Sequence, residues 1–117
     1  MDALRQARNE SLEMFRAERT AAIEEFRAAN NETKRSFLEN KTTVIEACNA
    51  QRNETADDDN GEYAKCVSDG LRPLIQKARD EHRAHREAFV DRMLEARQDA
   101  LQHFADARAA ARANPGS

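Results

Sequence analysis

The stretch FRAERTAAIEEFRAANNETKRSFLENKTTVIEAC, residues 15–48, decides the fold. Phe15, Phe26, Phe37 and Cys48 recur within it every eleven residues, and Leu4 extends the series backward. Eleven residues in three turns is about 3.67 per turn, close to the natural α-helical period, so such a stripe runs almost straight along a helix. Residues seven and eight steps after each stripe position are small or apolar in most repeats: Ser11/Leu12, Ala22/Ile23, Thr33/Lys34 and Val44/Ile45. Together they make one face of a long amphipathic helix. The residue four steps after each stripe position is basic or polar (Arg8, Arg19, Asn30, Lys41, Arg52), where a long stem flanks a seam while its charge reaches water.

Working outward, the same rhythm resumes after an acidic break as Val67, Ala78, Phe89, Ala100 and Ala111. The chain of 117 residues suits one domain, and neither Gly nor Pro occurs before Gly61, which favours helix over sheet. With 35% charged residues, 5% aromatics and no Trp, it suits a narrow helix–helix seam better than a thick globular core. The expected class is all-α: one long antiparallel helical hairpin with eleven-residue coiled-coil packing. Helix one spans about 2–54, an acidic turn 55–61 and helix two about 62–112, with a kink near Pro73 or a restart near Asp69. Asp59 with Glu62 reads as a capping box for helix two. Residues 114–117 read as a disordered tail or cloning scar.

Folding at the break so that paired numbers sum to about 115 sets Phe15 against Ala100, Phe26 against Phe89, Phe37 against Ala78 and Leu4 against Ala111. Large mostly meets small, as a two-helix seam requires. The core is expected at Phe15, Phe26, Phe37, Phe89, Met93 and Phe104. The same register sets Asn30 opposite His85 and Thr33 opposite His82, a polar layer that specifies alignment at some cost in stability. It also brings Cys48 near Cys66, predicting a disulfide near the turn. Val90, Leu94 and Leu101 beside one stripe, and Met14 and Leu38 beside the other, widen the apolar surface. They predict that two hairpins pair into a four-helix bundle.

Four Asn-x-Ser/Thr triplets begin at Asn9, Asn31, Asn40 and Asn53, and the steps of twenty-two among Asn9, Asn31 and Asn53 keep these three on one rotational face. Glycan acceptors must be exposed, so these Asn residues are glycosylation candidates and, with the cysteine pair, predict a secreted or cell-surface setting. Reduced cysteines would instead suit a cytoplasmic one. If His82 and His85 were buried neutral, protonation near pH 6 would loosen the bundle.

Chemistry finds little support. The acidic turn fails as an EF-hand, because aligning Gly61 to its invariant glycine puts Ala56 and Val67 at the essential carboxylate positions. No Glu-x-x-His or His-Glu-x-x-His motif, Gly-rich loop or nucleophile elbow occurs, so no catalytic residue, metal or cofactor is assigned. Acidic (22) and basic (19) residues alternate along the chain, which reads as a solvated surface and not a nucleic-acid footprint. The expected function is a non-enzymatic structural or interaction module that self-associates or binds another helical protein. An amphipathic lipid-binding protein whose hairpin opens is the first rival. A small-ligand or metal carrier built on His82 and His85 is the second.

Overall fold

The computed structural model describes residues 2–54 and 61–113, without the side chains of Asn53 and Glu54. The described chain is all-α: α1 spans Asp2–Glu54 and α2 spans Glu62–Ala113. The acidic turn and the tail after residue 113 lie outside the described residues, and so does Asp59 of the expected capping box. Gly61 starts α2 instead. Its carbonyl accepts the first helical hydrogen bond from Lys65 N at 2.8 Å, and its φ of 77° is the left-handed conformation that glycine adopts without strain. That makes Gly61 the N-cap and Glu62 the first helical residue, two positions short of the N3 place a capping box requires.

α2 is continuous through Pro73, so no restart occurs near Asp69. Gly70 owes its place to packing. A Cβ built there would lie 2.5 Å from Val44 Cγ1, so only glycine lets the helices approach this closely. Threonines inside α1 are tolerated because their hydroxyls return to the backbone, Thr42 Oγ1 to Leu38 O at 3.0 Å and Thr43 Oγ1 to Glu39 O at 3.2 Å.

The chain divides into two compact units: Met1–Arg27 with Arg86–Ser117 (unit 1), and Ala28–His85 (unit 2). Within each, α1 and α2 segments lie antiparallel. In unit 1, Phe26 and Phe89 stack at 5.1 Å between centroids, and Ser11 Oγ lies 2.8 Å from His103 Nδ1. In unit 2, Val44 meets Gly70 and Cys48 is bonded to Cys66. These pairs sum to 114 or 115, the register derived from the Phe/Ala alternation.

The centre of the seam differs from expectation. The buried residues are small: Ala7, Ser11, Ala22 and Thr33 on α1, Ala96 on α2, and Cys48. Ser11, Ala22 and Thr33 are themselves eleven apart. Phe15, Phe26, Phe37, Phe89, Met93 and Phe104 are all half-buried and flank that line. Two helices alone cannot enclose a phenyl ring, because a second layer is needed to cover its outer edge. Small side chains take the line of closest approach, and the rings lean over it from the side.

Candidate functional site: one polar seam and one two-sided surface

Unit 2 collects the histidines of the expected polar layer, but one turn away from the expected pairing. His82 Nδ1 lies 2.9 Å from Asn30 Oδ1, and His85 Nε2 lies 3.0 Å from Thr33 Oγ1. The expected partners are exchanged: His82 reaches three residues one way along the seam and His85 three residues the other way, so the two contacts cross. Thr33 is buried at 4% exposure, whereas Asn30, His82 and His85 are half-buried. Thr33 Oγ1 donates its one hydrogen to Glu81 Oε2 at 3.0 Å. His85 Nε2 must therefore be the donor to that hydroxyl. Asn30 Oδ1 only accepts, so His82 Nδ1 donates too. Both bonds survive protonation of the other ring nitrogen, and the geometry gives no reason for the helices to loosen near pH 6.

His103 in unit 1 makes a second polar contact. Its Nδ1 meets Ser11, and its Nε2 lies 3.9 Å from Glu10 Oε2. Ser11 stood in the small-residue column, which was the available signal. Among the described residues, no group of three or more His, Cys, Asp or Glu is placed to hold a metal.

The Cys48–Cys66 disulfide closes the end of unit 2, with S–S 2.05 Å and Cα–Cα 5.8 Å. Nearby, the Arg52 guanidinium lies 4.9 Å from the Tyr63 ring centroid. Among the sequons, Asn9 and Asn31 are exposed, Asn40 is half-buried beside Thr33, Phe37 and Leu74, and the Asn53 side chain lies outside the described residues.

Unit 1 carries the feature that one-dimensional reading missed. A shallow groove of about 350 Å³ runs between the helices, floored by Ser11 and Ala100, walled by Leu12, Phe15, Leu101 and Phe104, and flanked by Arg8 and Arg97. Eleven-residue steps carry this face along both helices. Arg8 leads to Arg19, Leu12 to Ile23, and Arg97 to Arg86 and Arg108. Leu101 leads back to Val90 and on to Arg112, with Leu94 one turn beyond Val90. Arg16 follows Leu12 by one turn, and Arg5 and Arg27 repeat it. Nine of the unit's ten arginines thus share a face with Leu12, Val90, Leu94 and Leu101, its exposed large apolar residues.

Most carboxylates lie on the other side. Glu25 pairs with Arg92 at 3.3 Å, and Glu10 approaches His103. From those anchors, steps of three, four, seven or eleven reach Glu18 on α1 and Asp91, Glu95, Asp99 and Asp106 on α2, while Asp2, Glu13 and Glu24, each three residues before an arginine, and Glu87, three before Val90, border the two sides. Charges that alternate along the sequence are segregated around the folded unit. Among the described residues of unit 1, Arg92 is the only arginine in an ion pair, and Arg108 lies 5.9 Å from the centroid of the Phe104 ring.

Unit 2 forms same-helix ion pairs at three of its nine basic residues. Arg35 bridges Glu32 and, at 2.6 Å, Glu39; Lys77 lies 3.9 Å from Glu81, and Arg72 lies 3.9 Å from Asp69. The hydrogen bond from Arg35, and its charge, hold the Glu32 carboxyl below the ordinary carboxylate range.

No protein-family model, curated protein or solved structure matches this chain. Among the described residues, no helix is long and apolar enough to cross a membrane.

Proposed function

We propose that this chain is a non-enzymatic interaction module, a disulfide-stapled helical hairpin of a secreted or surface protein that works through its outer surface. The observation that carries this reading is the face of unit 1, where unpaired arginines and exposed Leu12, Val90, Leu94 and Leu101 lie together. Side chains such as Leu101, at 59% exposure, contribute little to folding where they stand, and clustered exposed apolar residues mark contact sites. The grooves found among the described residues are open and shallow, which suits docking better than enclosed chemistry. The Cys48–Cys66 bond and the exposed sequons at Asn9 and Asn31 support an oxidising compartment.

Changing a docking face should leave the fold intact. Leu94→Ser and Leu101→Ser should each alter the free energy of unfolding by less than about 0.5 kcal/mol, the range of ordinary surface changes. A loss above about 2 kcal/mol would mean that these side chains hold the fold, and the reading would fall.

Self-association is the second reading, and segregation of charge constrains its form. Two arginine faces repel, so a four-helix bundle closed through Val90, Leu94 and Leu101 of both copies is disfavoured. The arginine face of one copy against the carboxylate face of the next is complementary. Light scattering in 50 mM and 500 mM salt tests this reading: oligomers that dissociate in high salt support it, and a monomer under both conditions removes it.

A further inference from the structure

We infer that the arginine–leucine face of unit 1 docks on an anionic lipid surface, with the hairpin closed. The inference rests on the interaction reading above and names its partner. Three observations on the page converge.

The first is charge. Nine arginines share the face, bordered on its outer flanks by Asp2, Glu13, Glu24 and Glu87, and among the described residues none of the nine is engaged in an ion pair. An anionic surface both attracts and satisfies them. The second is the interleaving of apolar side chains. Leu12, Val90, Leu94 and Leu101 project from the same face, each more than 40% exposed. A bilayer interface offers phosphates and acyl chains at adjacent depths, and arginine stems reach between them. The third is the groove. Phe15 and Phe104 wall an apolar cleft that Arg8 and Arg97 flank, a fit for an acyl segment below a phosphate headgroup.

Rival partners meet only part of this surface. The opposite face of a second copy supplies carboxylates but no exposed large apolar side chain of unit 1, so the four aliphatic side chains would be set against charge. Nucleic acid supplies phosphates, with nothing for the leucines to enter. Lipid docking here needs no opening of the hairpin. The seam keeps Ala22, Ala96 and the Ser11–His103 contact, because the docking face is a lateral edge and not the buried stripe. The carboxylates then face water.

The test is flotation of the full chain, prepared without glycans, with phosphatidylcholine vesicles and with vesicles containing one quarter phosphatidylglycerol. Binding should be at least tenfold tighter to the anionic vesicles and should fall at least tenfold between 50 mM and 500 mM salt. Arg97→Glu with Arg108→Glu should weaken it at least tenfold, while Glu95→Gln with Asp106→Asn on the opposite face should not. Circular dichroism checks that each variant is as helical as the parent. Because the chain has no Trp, one introduced indole reports which face meets lipid. Emission from Leu101→Trp should shift to the blue on anionic vesicles, and emission from Asp106→Trp should not.

Equal binding to neutral vesicles, equal shifts from both indoles, or no vesicle binding would overturn the lipid assignment. A chain that ignores vesicles yet assembles in low salt through Arg97 and Arg108 would overturn it and leave the interaction module standing. One that does neither would remove both.

Discussion

Unit 2 ties its helices together with a disulfide, a glycine contact and a bonded polar layer, and three of its nine basic residues form ion pairs on the same helix. Unit 1 has no covalent tie and one short histidine contact, and it leaves nine arginines without ion pairs among the described residues. Both keep one register. The difference teaches that alignment and surface are separable in this chain. Unit 2 spends its special residues on specifying the alignment, and unit 1 leaves an edge available for contact.

The contrast can be broken most forcefully at the disulfide. Replacing Cys48 and Cys66 by Ser should cost about 3 kcal/mol, the chain-entropy value for a loop of this size. Amide exchange should accelerate first in residues 28–85. Equal acceleration in unit 1 would show that the bond supports the whole chain and not its own unit.

Next comes the helix contact beside it. Gly70→Ala should gain helix propensity of about 1 kcal/mol but lose about 2 kcal/mol to the clash with Val44, whose branched side chain has little freedom to turn away. A net loss near 1 kcal/mol in chemical denaturation is expected, and Val44→Ala in the same chain should restore it. A stabilised single variant would show that the backbones separate without penalty.

The polar contacts give a graded comparison. Thr33→Val leaves both Glu81 and His85 without their partner and should cost about 1–2 kcal/mol. Ser11→Ala removes one bond from a half-buried histidine and should cost about 0.5–1 kcal/mol. Thermal unfolding of the two variants against the parent checks the order.

The smallest effects concern pH. Since His82 and His85 donate into the seam, the melting temperature at pH 5.5 should stay within about 3 °C of that at pH 7.5, where 1 kcal/mol corresponds to about 4–8 °C in a domain of this size. A larger fall would mean that His85 accepts from Thr33. Glu32 has a lowered pKa in the folded chain, so its contribution is present above the ordinary carboxylate range and fades as pH falls through the folded value. Both partners are exposed, which leaves the contribution to stability small. A carbon-detected NMR titration should place Glu32 below the ordinary carboxylate range. An ordinary carboxylate value for Glu32 would show that Arg35 is not held in place.

Much of the fold could be read in advance for a specific reason. The spacing of Phe15, Phe26 and Phe37 against Ala78, Phe89 and Ala100 carries both helix phase and partner phase, because antiparallel helices of one period stay in step. That was enough to bring Cys48 to Cys66. The reading erred where a side chain's own geometry decides. Asn30 and Thr33 exchanged histidines because each ring swings to a partner three residues from the one straight across, which backbone register does not set, and the phenyl rings flank the seam because Ala and Ser fit its narrowest line. It also missed the face of unit 1, although the signal was present. Arg5/Arg16/Arg27 and Asp2/Glu13/Glu24 are parallel eleven-step columns, invisible when charges are counted along the chain and plain once counted around it.

By itself, then, the sequence determined two long helices, their antiparallel register and the meeting of the cysteines, since periodicity and side-chain volume act locally and repeat. Only the tertiary structure decided which edge of each helix shares a side with which edge of the other. Handedness settles that. Two right-handed helices laid antiparallel bring the arginine columns of both to one side, away from Glu10, Glu25, Glu95 and Asp106, making one surface that neither helix carries alone.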